Sequence, residues 1–470
     1  MRVELLGNTD KEYIYNQIKV VADAGRLSRF PGSVFEICDK NFTFGKNVDF
    51  IKRVIGMGHE SITDHDYLVF ALEDVSILVE QIIILERFSS FTIKSRREVD
   101  FSDAGFYMPD FHTKDGVIHP NNDFFKRIYR NYIKKLFDNY SILVNNGIPM
   151  EDARYILPQS LNSNIIMGID AHVLKNMIIS FTKGKNSNIP EFRELGEKLY
   201  NIMESRTPYL KDIIDNSKVD NIDLVEECLN NLVECSSYDI LDKPIMLNNG
   251  DDADEKIIVS ALMRVYGCDY GTALNIYDKK IKYDPKLCNE IMKSINSNLT
   301  KDELKQVNFQ FQIPISYAVL THLKRHRTHD LLVPDFVPIK NIDNYIIPNS
   351  IKKNGFDATY KELFDINSNL VTYFKEQGVR DEDLIGFYLS GNMVNVVTNM
   401  DGATLEHFLR LRTCNKAQWE IRNIANEMRN LVRDNTIYYG KILGPTCEVK
   451  GICNEGKESC GKIKKLVKDN

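Results

Sequence analysis

The sequence predicts a helix-rich α+β protein in which one fold is written twice. Three observations carry that prediction. A block starting at Val75, VSILVEQIIILERFSSFTIKSRRE, shares its pattern with a block starting at Ile315, ISYAVLTHLKRHRTHDLLVPDFVP. Each follows an alternating segment, DYLVFAL or VNFQFQI, which reads as a half-buried strand feeding an apolar helix. A second pair follows downstream: YILPQSLNSNIIMGIDAHVLKNM and GFYLSGNMVNVVTNMDGATLEHF.

The first pair is offset by 240 residues, which sets Ile51 against Ile291, Ile55 against Ile295 and Arg87 against Arg327. The second is offset by 231, which sets Asp170 against Asp401 and Leu174 against Leu405. Neither offset needs a gap inside its block, so loops absorb the difference. The chain has 470 residues, and at about 150 residues per domain that length suits two to four domains. The join is expected between Ile214 and Asp254, where polar NSKVDN and LNNGDDADE flank a short apolar helix around Val225–Leu232. The predicted organisation is therefore a first repeat over 1–215, a linker with a short helix over 216–252, and a second repeat over 253–470 with a Cys-containing tail. Residues 341–356, with Asn344, Pro348, Asn349, Asn354 and Gly355, read as a surface loop.

Hydrophobic residues make up 43% of the chain and charged residues 27%, which excludes wholesale disorder. A net charge of −6 argues against a nucleic-acid or membrane-surface binder but leaves room for a local basic pocket. The most apolar run, Val75 to Leu85, is broken by Glu80 and falls far short of the ~20 residues a bilayer needs. MRVELLGNTDKEYIYNQ has no signal-peptide core, and nine cysteines are too few for a disulfide scaffold, so a cytoplasmic protein is expected.

THLKRHR followed by FLRLRTCNKAQWEIRNIA resembles the flavin-dependent (alternative) thymidylate synthase family. That family carries Arg-His-Arg, then Ser and Ser-x-Arg, and later a Leu-Arg segment before Ala-Gln-x-Glu-Ile-Arg. Here the motifs are divided. The second half keeps Arg325-His326-Arg327 but has Asp330, Asp335 and Val337 at the following motif positions. The first half has Leu85-Glu86-Arg87 for the signature yet keeps Ser90, Ser95 and Arg97. Ala153-Arg154 is retained in the first half against Leu384-Ile385, and the late arginine is Arg412 in the second half against Phe181. His59-x-Ser61 with Asp64-His65 resembles the family's upstream His-x-Ser segment.

The resemblance implies two tandem domains of that family, each helix-rich with a small antiparallel or mixed sheet. Family members are homotetramers that build the nucleotide site between subunits, so a fused duplicate can lose one set of residues from each copy and keep one complete site. The implied substrate-binding residues are Ser90, Ser95, Arg97, Arg154, Arg325 and Arg412, with Arg412 also acting on the uracil ring during catalysis. The implied cofactor contacts, to FAD, are His59, Ser61, Arg325, His326, Arg327 and His407. The implied reaction is reductive methylation of dUMP or a related pyrimidine nucleotide, with methylenetetrahydrofolate as carbon donor and NADPH as reductant, in a homodimer that mimics a tetramer. A non-catalytic nucleotide sensor and a flavoenzyme acting on another pyrimidine are the alternatives. Two departures bear on them: Thr92-Ile93 replaces the family's Asn-Glu, and Asp170-Ala171-His172 and Asp401-Gly402-Ala403 replace its flavin-gripping Asn-x-Arg.

The residue chemistry fits an anionic ligand. Guanidinium groups offer paired donors that stay charged, and hydroxyls complete a phosphate cradle. Arg-His-Arg at a helix end is otherwise a dipole-complementing cap. His322, His326 and His329 share a helical face, a spacing that also suits a metal. Cys414, Cys447, Cys453 and Cys460 are expected either to hold zinc or an iron–sulfur cluster or to remain free thiols. Cys38, Cys228, Cys235, Cys268 and Cys288 read as small buried residues.

Overall fold

A computed structural model describes residues 1–7, 10–219, 222, 224–229, 239–248, 250 and 252–463, with Glu226 as backbone only. Of the residues named above, Cys235 and the end of the Val225–Leu232 helix lie outside that range; the helix itself runs Leu224–Leu229.

Among the described residues, eight strands form two sheets of the same design: β1 (Arg2–Leu5), β2 (Tyr67–Ser76), β3 (Ser89–Ile93), β4 (Asn162–Asp170), β5 (Ile245–Met246), β6 (Asn308–Ser316), β7 (Asp330–Leu332) and β8 (Met393–Asp401). The orders are β1-β2-β4-β3 and β5-β6-β8-β7, and every pairing is antiparallel. Register repeats as well as order. Ser76 faces Asn162, and Ser316, 240 residues on, faces Met393. Before the bulge between Leu72 and Val75 the offset is 241, with Tyr67 facing Asp170 and Asn308 facing Asp401, so the expected 240 offset does not extend to Ile51 and Ile55. Ser90 faces Gly168, and Asp330, 240 residues on, faces Asn399. The expected small sheet in each repeat is thus present, in its antiparallel form.

The alternation that predicted the strands is what buries them. Leu68, Phe70 and Leu72 of β2 point inward, as do Phe309, Phe311 and Ile313 of β6. Each central strand then turns into a helix through a buried serine. The Ser76 amide donates to Glu191 Oε1 at 2.7 Å, and the Ser316 amide donates to Glu420 Oε1 at 2.7 Å. The Asp that ends each later strand caps the next helix: Asp170 accepts from the Val173 amide and Asp401 from the Thr404 amide, both at 2.8 Å.

The chain divides into two compact units that do not follow sequence order. One comprises 1–237, 336–343 and 347–391; the other comprises 238–335, 344–346 and 392–470. The first unit therefore holds both the helix Asn122–Asn145 and its counterpart Asp357–Glu376. Around them Phe125, Tyr129, Phe374 and Phe387 form an aromatic core, with Phe125–Phe374 centroids 4.7 Å apart and Tyr129–Phe387 centroids 4.8 Å apart. Residues 231 apart meet here. Pro158 bridges Leu389, and the Tyr132 hydroxyl donates to the Leu363 carbonyl at 2.9 Å. Such self-matching contacts are what a local two-fold relation between repeats produces. The stretch 341–356 is less loop-like than expected, because the short helix Asn349–Lys353 buries Ile351.

Candidate functional site

In the first unit, the segment after β3 carries two adjacent arginines with different partners. Arg96 is tied at both nitrogens to Glu80, at 2.6 and 2.8 Å, and the Ser163 hydroxyl donates to the same carboxylate at 2.9 Å. Arg97, about a third exposed, donates from Nε to Glu151 Oε2 at 2.7 Å, while its amide donates to Ser95 Oγ at 3.3 Å.

Arg154 follows the one-turn helix Met150–Ala153, and its Nε donates to the Glu151 carbonyl at 3.1 Å. Its side chain is buried, at 3% exposure, and its Nη2 has no hydrogen-bond partner. Burial drives the Arg154 guanidinium down to about 10, and nearby Arg96 and Arg97 add to the effect, which Tyr155 and Glu151 oppose. Arg97 and Arg154 thus meet at Glu151, one at its carboxylate and the other at its carbonyl, and Ser95 is joined to Arg97 through the Arg97 amide. Ser90 stands exposed on β3, and no hydrogen bond joins it to those three among the described residues. No motif marks Glu151, although its spacing of three from Arg154 beside a short helix is a usable signal.

Two expected flavin contacts also lie in this unit. His59 and Ser61 line a cleft of about 480 Å³ together with Ser28, Arg29 and His65. Arg29 and Ser28 were not foreseen, since nothing in their spacing ties them to His59. His172, where the family has arginine, is held between Glu60 at 3.0 Å and Asp64 at 3.1 Å.

In the second unit, the helices Tyr317–Lys324 and Gly402–Arg412 bring Arg412 to His326. Arg412 Nε donates to His326 Nε2 at 3.0 Å, and Nη2 donates to the His322 carbonyl at 3.1 Å. A ring nitrogen that accepts from a guanidinium must carry its lone pair, so His326 is neutral and protonated on Nδ1. Burial, reinforced by Arg412, His407 and His329, brings its pKa down to about 3. The ring packs edge-on to Phe408 at 5.0 Å and His407 at 5.8 Å. His407 accepts from Arg410 at 2.7 Å and is likewise held below the ordinary range by burial and by Arg410. Arg325 caps the first of these helices and is exposed; Arg327 is half-buried.

This pair makes stability pH-dependent. Between pH 6.5 and about 3 the unfolded chain binds a proton that folded His326 refuses, so stability is full above 6.5 and falls on acidification. His326→Gln keeps an acceptor for Arg412 and removes the titration. Urea unfolding at pH 7.5 and 5 should show the parent losing about 2 kcal/mol more than the variant. Equal losses would mean His326 does not stay neutral.

The metal expectation needs correcting. Among the described residues, no group of three or more His, Cys, Asp or Glu is placed to hold a metal ion. Cys414, Cys447, Cys453 and Cys460 are therefore free thiols in this structure, with Cys460 Sγ accepting from Asn415 Nδ2 at 3.6 Å. His322, His326 and His329 do not converge either, because Arg412 takes His326 Nε2 and Thr398 Oγ1 meets His329 Nδ1 at 2.6 Å. Cys38 and Cys228, read as buried, are exposed. No helix among the described residues is long and apolar enough to cross a membrane.

The family described as thymidylate synthase complementing protein matches this chain twice, over 11–209 and 247–436. A flavin-dependent thymidylate synthase of Saccharolobus solfataricus is 30% identical over 159 residues, which are 34% of this chain and 58% of that protein. The Clostridium tetani enzyme of the same description is 27% identical over 234 residues, 46% of this chain and 91% of that one. Among solved structures, the UMP/dUMP methylase PolB from Streptomyces cacaoi, bound with 5-Br dUMP, aligns with TM-score 0.37 and 19% identity over 45% of this chain and 93% of PolB. Thymidylate synthase X from Helicobacter pylori, with FAD and dUMP, aligns with TM-score 0.36 and 18% identity over 46% of this chain and all of that one.

Proposed function

The chain belongs to the thymidylate synthase complementing protein family, which it carries as a tandem duplication, and from that premise we propose that it binds dUMP or a closely related pyrimidine nucleotide and methylates it reductively. The observation that supports this most is Arg154: a buried guanidinium with an unmatched N–H, beside Arg97 and Ser95, is stabilised by a bound anion. On this reading the phosphate is held by Ser95, Arg97 and Arg154, assisted by Ser90. Arg325 and Arg412 of the second repeat complete the requirement. One chain then binds one nucleotide, and a homodimer holds two.

Arg412 has the catalytic part. Its guanidinium is oriented by His326 and the His322 carbonyl, and because His326 is neutral the cation faces no competing charge there. A fixed cation against a uracil oxygen stabilises the negative charge that builds on the ring as its C5 becomes nucleophilic. Methylenetetrahydrofolate is the proposed carbon donor and NADPH the proposed reductant.

The donor set of the His59 cleft fits FAD. His59, Ser61, Ser28, Arg29 and His65 offer hydroxyl, imidazole and guanidinium groups to a molecule rich in carbonyl and phosphate acceptors. His326, Arg327, His407 and Arg325 are proposed as further contacts from the second repeat. When bound, the flavin would supply the hydride that completes the methyl group.

One observation favours the non-catalytic alternative. His172, standing where the family grips flavin with arginine, is engaged by Glu60 and Asp64. The deciding experiment is titration of the purified protein with FAD and dUMP, followed by an assay with methylenetetrahydrofolate and NADPH. A yellow protein that forms a methylated nucleotide is the expected result. A colourless protein that binds dUMP and forms no product would make it a sensor, and no binding of dUMP would overturn both readings.

A further inference from the structure

The first unit carries a second cavity, unused by the function proposed above. The helices Lys11–Leu27, Val34–Cys38 and Phe44–Gly56 enclose about 460 Å³ and share no lining residue with the His59 cleft. Its apolar walls include Phe30, Phe42 and Phe50.

Arg26 sets its floor. The guanidinium donates to Asp23 Oδ1 at 2.9 Å and Asn47 Oδ1 at 2.8 Å, and it lies 3.9 Å over the Phe42 ring and 4.8 Å over Phe50. Asn47 is fully buried, and its Nδ2 has no partner. Lys40, Lys46 and Arg53 line the same cavity from exposed positions, and among the described residues none of them pairs with a carboxylate. Asp49 is the one lining carboxylate among the described residues. Lys40, Lys46 and Arg53 against the single lining carboxylate of Asp49 leave a local excess of positive charge around aromatic faces, in a chain of net charge −6.

The duplication supplies an internal comparison. Upstream of the bulge between Leu72 and Val75 the repeats are 241 residues apart, as Phe44–Gly56 and Pro285–Ser297 are. At that offset Gly267, Tyr283 and Ile291 stand opposite Arg26, Phe42 and Phe50, so the second repeat forms the equivalent helices without this guanidinium floor. The cluster is therefore not a requirement of the shared fold.

We propose that this cavity binds an anionic heteroaromatic ligand of the nucleotide class, with its ring against Phe30 and Phe50 and its phosphate among Lys40, Lys46 and Arg53. Stacking is sequence-tolerant and suits any base, while flexible ammonium groups suit a phosphate dianion. A cavity of this volume lies within the range of small-molecule sites. The inference stands on these residues and does not rest on the proposed methylation.

The test is calorimetric titration of the full chain with 5′-AMP, adenosine and inorganic phosphate, each with FAD and dUMP at saturation. AMP should bind, and adenosine and phosphate should each bind at least about tenfold more weakly, since each lacks half of the recognition. The double variant Lys46→Glu/Arg53→Glu, changed at exposed positions, should weaken AMP by about tenfold or more while keeping the parent melting temperature and dUMP titration. AMP binding that vanishes when FAD and dUMP are saturating, or that is equally tight in the double variant, would overturn the proposal.

Discussion

Arg154→Met should abolish nucleotide binding and leave the free protein as stable as its parent, or more so. The two effects have one cause. A guanidinium at 3% exposure with an unpartnered Nη2 has lost hydration without full replacement, and its pKa, lowered to about 10, reflects that penalty. Methionine has similar length and no charge, so the substitution removes the penalty and keeps most of the packing. With nucleotide present the balance reverses, because a buried charge-assisted contact to phosphate is lost. Such truncations cost about 2–5 kcal/mol, which is roughly a 30- to 4,000-fold loss of affinity. Calorimetric titration with dUMP and a thermal melt of the free protein check both halves. A variant that melts well below the parent yet still binds dUMP would make Arg154 a structural residue.

Arg96→Ala should do the opposite, removing stability before it touches binding. The side chains of Arg96 and Glu80 are 9% and 1% exposed, and the carboxylate also takes the Ser163 hydroxyl. Removing Arg96 takes a bidentate cation from a buried carboxylate, at a cost of about 3–5 kcal/mol. The double replacement Glu80→Leu/Arg96→Met leaves no such charge and should recover most of the loss. Denaturant unfolding of the four proteins forms a double-mutant cycle. Single variants within about 0.5 kcal/mol of the parent would show that the pair contributes little.

The contrast between neighbouring Arg96 and Arg97 marks where sequence reasoning stops. Both stand in one short segment, and only a partner 16 residues away, Glu80, assigns Arg96 to the interior. In the sequence Glu80 interrupts an apolar run, which reads as a defect until its ion pair is seen. The duplication was visible because strand alternation and helix entry repeat without gaps inside each block. The register keeps those offsets in β3 and β7 and from Val75 and Ile315 onward, whereas a bulge between Leu72 and Val75 shifts the earlier part of β2 by one residue. Arg412 and His326 were found through motif position, while their hydrogen bond depends on two helices 86 residues apart in sequence. The placement of 347–391 in the first unit was invisible, because it rests on long-range aromatic packing that periodicity does not address. Cysteine spacing names candidate thiols but not their arrangement in space, and among the described residues no such group is placed to hold a metal.

The claim on which the functional account turns is that two eroded repeats supply one working set of nucleotide ligands. The stoichiometry of dUMP binding measures it most directly, titrated into the parent and into Arg97→Ala, Arg412→Ala and Arg87→Ala. The account predicts one nucleotide per chain in the parent, loss of binding with the first two changes and retention with the third. Two nucleotides per chain, or a loss with Arg87→Ala equal to the others, would contradict it.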